Sequence, residues 1–319
     1  MRKIAMFDSH SYDRDFFEHA NREFEFKIEY HECQLNAETA WKAKGAEAVC
    51  VFVNDQVDDL TLEVLKELKV KTVALRCAGF DNVDMDHAKK LGIRVVRVAH
   101  YSPHSVAEHA VAMILSLSRK LNHSNERVRH GNYSLEGLLG FELHGKTVGI
   151  LGTGGIGEIV AKIMHGFGCH VLAYDCKPNL LLEEQNQVCY QELNEVLVHS
   201  DIVSLHLPLD SSTRHILGKA QFDLMKTGSM LINIGRGGLV DSRALIDSLK
   251  SGKIGYAGLD VYEREAGMFF YNQSEAVLQD DVFARLLSFQ NVLITPHQAF
   301  FTREALAEIA LTTLKNIQS

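Results

Sequence analysis

Proline is scarce in this chain, with four in 319 residues: Pro103, Pro178, Pro208 and Pro296. No stretch approaches the roughly 18 uncharged apolar residues that a membrane-spanning helix needs. The best candidate, AVAMILSLS, is short and lies inside an amphipathic pattern. Asp8 ends the N-terminal apolar run too early for a secretory signal. The six cysteines (Cys33, Cys50, Cys77, Cys169, Cys176, Cys189) include no CxxC pair and no metal-ligand spacing. Free thiols in a reducing cytoplasm are therefore expected over a zinc site or a disulfide framework. Basic charge is also short. Lys and Arg total 33 against 41 Asp and Glu, a net charge of −8 spread along the chain. Such a balance leaves no electrostatic footprint for nucleic acid or an anionic membrane. Internal repeats, low-complexity tracts and Gly/Ser linkers are absent.

What is present reads as an ordinary globular α/β protein, 46% apolar and 23% charged. At about 150 residues per domain, the length suggests roughly two domains. Short β-branched runs recur at Ile4–Phe7, Glu25–Tyr30, Ala48–Val53, Thr72–Arg76 and Arg94–Val98, with helix-like LTLEVLKEL and MDHAKKL between some of them. Continuous apolar strands alternating with helices indicate a parallel sheet covered on both faces. From Ser105 to about Arg129 the pattern predicts one long helix that would span between domains. A second series begins at Thr147 with strands TVGILG, HVLAYD, IVSLHLP, SMLINIG, GYAGLDVY and NVLITP. The last stretch, TREALAEIALTTLKNIQS, predicts an amphipathic helix that returns to the first domain. The expected division is 1–100 plus 299–319 for one domain and 101–298 for the other.

The run Gly152-Thr-Gly154-Gly155-Ile156-Gly157 directly follows the strand TVGILG and opens a helix. A GxGxxG run alone is weak evidence, but strand, turn, helix and a second strand are all in place here. Gly152 would allow the tight turn, Gly154 the approach of a pyrophosphate, and Gly157 the close packing of helix on strand. The pyrophosphate would rest on backbone N–H groups near Gly155 and Ile156. Asp175 ends the second strand, 18 residues after Gly157. It would accept hydrogen bonds from the adenosine ribose and repel a 2′-phosphate, so NAD is expected rather than NADP.

Three ionisable residues stand just past three successive strands: Arg236 after SMLINIG, Glu265 after GYAGLDVYER, and His297 after NVLITP. In a doubly wound sheet the C-terminal ends of strands share one edge, so residues distant in sequence can converge on a bound cofactor. A guanidinium grips a carboxylate through two parallel hydrogen bonds. A histidine with a carboxylate partner is held in one orientation and favours its protonated form. Such a group can give a proton to a carbonyl oxygen while hydride arrives at carbon from nicotinamide. The set therefore reads as machinery for reducing a 2-keto acid. Each member has a plainer reading, because GRGG is turn-like, EREAG is a charged run, and the chain has 16 histidines.

The segments GTGGIG, LHLP, LINIGRGGLVD, GLDVYERE and ITPHQAF, with RCAGFDNVDMDHAKKLGIRVV and YSPHSVAEHAVA earlier, resemble the D-2-hydroxyacid dehydrogenase family. The run from Asp260 to Leu306 is similar to its lactate-type members. The resemblance implies a flavodoxin-like substrate domain with an inserted Rossmann dinucleotide-binding domain, and NADH-dependent reduction of pyruvate to D-lactate. It further implies that Arg236 binds the carboxylate, that His297 is the acid/base and that Glu265 is its partner. The backbone of Ala78 and Gly79 would cradle the carboxylate, with Tyr101 and Phe300 lining the pocket. Cofactor contacts fall on Gly155, Ile156, Asp175, Leu207, Pro208, Thr213, Ile234, Gly235 and Asp260, the last facing the nicotinamide end. A dimer or higher homo-oligomer, built on the long helix and the edge of the cofactor domain, is implied as well. Cys77 stands where lactate-type members often carry Asn, and Pro296 where some carry Gly, so the preferred acid stays open. Phenylpyruvate, 2-ketoisocaproate or glyoxylate are alternatives, and a non-catalytic NAD(H)-sensing regulator is a further one.

Overall fold

The computed structural model describes residues 2–99 and 101–319 and consists of two compact α/β units. One comprises Met1–Ser102 with Phe300–Ser319, and the other Pro103–Ala299. The expected first boundary, at residue 100, lies outside the described residues.

The first unit holds β1 (Lys3–Met6), β2 (Lys27–Tyr30), β3 (Ala48–Val51), β4 (Thr72–Leu75) and β5 (Arg94–Arg97). They form one parallel sheet in the order β2-β1-β3-β4-β5, the flavodoxin order. The central strands β3 and β4 are buried at every residue, as continuous apolar runs require when helices cover both faces. The terminal helix Arg303–Gln318 packs beside the helix Ser11–Asn21. There Ala310, Leu314 and Ile317 share a core with Ile4, Met6 and Phe17.

The second unit holds β6 (Thr147–Leu151), β7 (His170–Tyr174), β8 (Cys189–Tyr190), β9 (Ile202–Leu205), β10 (Ser229–Asn233), β11 (Ile254–Leu259) and β12 (Val292–Ile294). Their order is β12-β11-β10-β9-β6-β7-β8, and every pairing is parallel. This is the Rossmann arrangement with one added strand. The order reverses between β6 and β9, which makes the crevice at their C-terminal ends the ligand position.

The single long helix expected from Ser105 to Arg129 is two helices, Pro103–Ser118 and Leu121–Arg129. Lys120 between them is left-handed, with φ 52°. The Ser118 carbonyl accepts from the Phe141 N–H at 3.1 Å and is thereby tied to a tertiary contact rather than to a continuing helix. Among the described residues no helix is long and apolar enough to cross a membrane.

Candidate active site

The cofactor half of the site begins where β6 ends. Gly152 is left-handed (φ 95°), and a Cβ there would lie 2.8 Å from the His206 carbonyl oxygen. At Gly157 a Cβ would stand 1.9 Å from the Gly152 carbonyl oxygen, so the helix Gly155–Gly166 reaches the strand only because this residue is glycine. Gly154 and Gly155 instead face open space, with nothing within 4 Å of a Cβ built on either. No side chain caps the start of that helix, so the first-turn N–H groups of Gly155 and Ile156 are presented as anion donors. A glycine-lined approach to an uncapped helix start fits a pyrophosphate.

Asp175 follows β7. Its carboxylate accepts from the Thr153 N–H (2.6 Å), the Thr153 hydroxyl (3.0 Å) and the Lys177 N–H (2.8 Å). Burial works to raise its pKa, but these donors together outweigh it and hold the group below the usual carboxylate value. An ionised acid beside the glycine turn suits ribose hydroxyls and would oppose a 2′-phosphate. Leu207 and Pro208 follow β9. The Thr213 hydroxyl is engaged within its own loop, donating to the Pro208 carbonyl at 2.7 Å. Ile234 is buried, and Gly235 donates its N–H to the Asn233 side chain at 3.2 Å.

The same Asn233 donates through Nδ2 to the Arg236 carbonyl at 3.0 Å, stapling the turn that carries the guanidinium. Past β11, Glu265 accepts the Tyr262 N–H on Oε2 (2.7 Å) and meets His297 Nδ1 through Oε1 (2.7 Å). His297 and Glu265 are both largely buried. The His297 backbone is left-handed (φ 55°), uncommon for a residue with a side chain, and its N–H donates to the Asp260 carbonyl at 2.7 Å. Phe270, also left-handed at φ 73°, packs against the His297 ring with centroids 5.7 Å apart.

Asp260, expected to face the nicotinamide end, is fully buried. Its Oδ1 accepts from the Thr295 hydroxyl (2.5 Å) and the Gln298 N–H (2.8 Å), and its Oδ2 from the Ala299 N–H (2.9 Å). Its side chain braces the loop carrying His297. A buried carboxylate requires such donors, and these three come from this one loop.

In the first unit, Ala78 and Gly79 follow β4 at partly exposed positions. The Ala78 carbonyl accepts from Arg97 Nη1 at 2.5 Å, while the Arg97 guanidinium stacks 4.7 Å from the Phe80 ring. Phe300 packs edge-on against Tyr101, with centroids 6.3 Å apart, and against Phe52 at 5.8 Å. Beneath Phe52 lies the buried Arg76, which donates to the Phe7 and Asp8 carbonyls and sits 3.4 Å from Asp13. Sequence reasoning missed Asn233, Phe52, Arg76, Arg97 and Phe270. Only Asn233, a turn former between a strand and Gly235, carried a local signal.

An uncapped glycine-lined helix start, an acid at the neighbouring strand end, and a guanidinium and a carboxylate-paired histidine on the same sheet define a dinucleotide-dependent oxidoreductase. Residues 111–299 match the family described as D-isomer specific 2-hydroxyacid dehydrogenase, NAD binding domain. The D-lactate dehydrogenase of Escherichia coli (strain K12) is 47% identical over 317 residues, covering 99% of this chain and 96% of that protein. The structure reported under "Identification of the pyruvate reductase of Chlamydomonas reinhardtii" superposes with TM-score 0.94 at 46% identity, covering 99% of this chain and 95% of that one. A D-lactate dehydrogenase from Lactobacillus jensenii, solved with NAD+, superposes with TM-score 0.82 at 32% identity, with 99% and 96% coverage. The chain belongs to the D-2-hydroxyacid dehydrogenase family, and NAD is its cofactor.

Proposed function

We propose that this chain reduces pyruvate to D-lactate, reversibly, using Arg236, Glu265 and His297. The observation that carries the reading is the 2.7 Å contact between His297 Nδ1 and Glu265 Oε1. With Nδ1 turned to the carboxylate, Nε2 is the nitrogen directed at substrate. Glu265 is itself fixed by the Tyr262 N–H, so the ring is held in one orientation. NADH, when bound, supplies the hydride to the substrate carbonyl carbon. His297 Nε2 gives its proton to the carbonyl oxygen in reduction and takes it back in oxidation. The Arg236 guanidinium takes the substrate carboxylate through paired N–H donors, which gives selectivity for 2-keto acids over simple ketones. Ala78 and Gly79 are proposed to add backbone contacts to that carboxylate, and Tyr101 and Phe300 to limit the substrate side chain.

Gly152, Gly154, Gly155, Ile156 and Gly157 are proposed to hold the pyrophosphate and Asp175 the ribose. Leu207, Pro208, Thr213, Ile234 and Gly235 would line the rest of the cofactor path. We also propose that the chain self-associates. Tyr133, Leu135 and Leu139, in the segment after the helix Leu121–Arg129, are 75%, 83% and 86% exposed, a large apolar display for a lone subunit. A reducing cytoplasm suits six cysteines that form no disulfide among the described residues.

The test is NADH oxidation by purified protein with pyruvate, phenylpyruvate, 2-ketoisocaproate and glyoxylate, followed by chiral analysis of the product. Pyruvate is expected to give the highest kcat/KM and the D enantiomer. A preference for another acid, or an L product, refutes the substrate assignment.

A further inference from the structure

We propose that Ser105 and His109, one turn apart on the helix Pro103–Ser118, are positioning residues that clamp His297 in its working conformation. This rests on the reading of His297 as the acid/base. Residues four apart on a helix share a face, and this helix packs beside β11 and β12. Ser105 is buried, and its hydroxyl donates to the Ala299 carbonyl at 2.8 Å. His109 Nε2 lies 3.1 Å from the Thr295 hydroxyl oxygen and 3.4 Å from Asp260 Oδ1. The Thr295 hydroxyl donates its proton to Asp260, so it can only accept from His109, and Nε2 is the protonated ring nitrogen. One helix face thus grips Thr295 and Ala299, the two ends of the short loop at whose centre His297 sits.

The centre of that loop is where a brace is needed. His297 is left-handed, a conformation that a residue with a side chain adopts only when its surroundings hold it. Asp260 supplies the inner half of the brace through its carbonyl and both carboxylate oxygens. Ser105 and His109 supply the outer half, and His109 also orients the Asp260–Thr295 pair. Relaxing the loop toward ordinary backbone angles would swing the His297 ring away from Glu265. Proton transfer depends on sub-ångström placement, so the clamp acts on rate and leaves cofactor binding alone.

The experiment compares Ser105→Ala, His109→Leu, the double variant and His109→Gln, which keeps an N–H donor. For each, kcat with a 2-keto acid is measured beside the NADH Kd from fluorescence titration. The His297 ring Cε1–H resonance, assigned by its loss in His297→Ala, is followed by NMR. The clamp predicts that kcat falls about 10- to 100-fold in the double variant, with the NADH Kd and thermal midpoint held. His109→Gln is expected to recover most of the His109→Leu loss, and the His297 resonance to shift in step with kcat. An unmoved resonance and unchanged kcat in the double variant overturn the proposal. So does a loss that His109→Gln shares equally, or one matched by weaker NADH binding. If the wild-type chain reduces no 2-keto acid, the functional reading fails, and the resonance alone decides whether these side chains position His297.

Discussion

Replacing Gly157 by alanine places a Cβ 1.9 Å from the Gly152 carbonyl oxygen, where ordinary contact begins at 3.4 Å. Both partners are backbone, so no side chain can turn aside. The helix Gly155–Gly166 must retreat from β6 by more than an ångström or the strand must distort. Overpacking of this kind costs ~1–3 kcal/mol, which lowers the thermal midpoint by about 2–4 °C for each kcal/mol in a domain of this size. The same retreat carries the first-turn N–H groups away from the position proposed for the pyrophosphate. Loss of one charge-assisted hydrogen bond, worth roughly 1.5–3 kcal/mol, weakens NADH binding by about 10- to 100-fold. Gly155 provides the internal control. It sits in the same turn with nothing within 4 Å of a built Cβ, and alanine favours a helix over glycine by up to about 1 kcal/mol. Thermal unfolding followed by circular dichroism, together with NADH fluorescence titration, reads both effects. Gly157→Ala is expected to be less stable and to bind NADH poorly, while Gly155→Ala keeps or raises the midpoint. A Gly157→Ala protein that melts and binds like wild type would refute the packing argument. So would a Gly155→Ala protein that is equally destabilised.

Asp175→Asn exchanges one carboxylate acceptor for an NH2 donor and removes the charge that would oppose a 2′-phosphate, so the ratio of NADH to NADPH affinity should fall, as measured by parallel titrations. The folded-state pKa of Asp175 is lowered, so its stabilisation is full above about pH 4 and is lost as pH falls through the folded value. Urea midpoints of wild type and variant should therefore differ at neutral pH and converge in acid. Arg97→Met keeps the side-chain stem but releases the Ala78 carbonyl. Steady-state kinetics should show a higher KM for the keto acid with kcat and NADH binding held, and an unchanged KM would remove Ala78 and Gly79 from the substrate contacts.

The α/β alternation was legible because strands buried on both faces are continuous apolar runs, as β3 and β4 are. The glycine turn was legible because helix-on-strand contact at Gly157 admits no side chain. Arg236, Glu265 and His297 stood out as ionisable residues just past strands, and a parallel sheet places strand ends on one edge. The break at Lys120 was hidden because apolar periodicity continued through it. What interrupts the helix is a left-handed backbone and a hydrogen bond from Phe141, more than twenty residues away in sequence. The brace around His297 was hidden for the same reason. Ser105 and Ala299 are 194 residues apart, and His109 and Thr295 are 186 apart. The family resemblance puts Asp260 at the nicotinamide end, while its bonds to the His297 loop span 35 to 39 residues of sequence. Only the fold shows that its oxygens face the loop.

His297, held by Glu265, is the proposed proton donor in 2-keto acid reduction. The most direct measurement is pyruvate-dependent NADH oxidation by His297→Ala beside wild type, with NADH affinity determined on the same preparations. Turnover is expected to be lost while NADH binds as in wild type. Near-normal pyruvate reduction by that variant would contradict it.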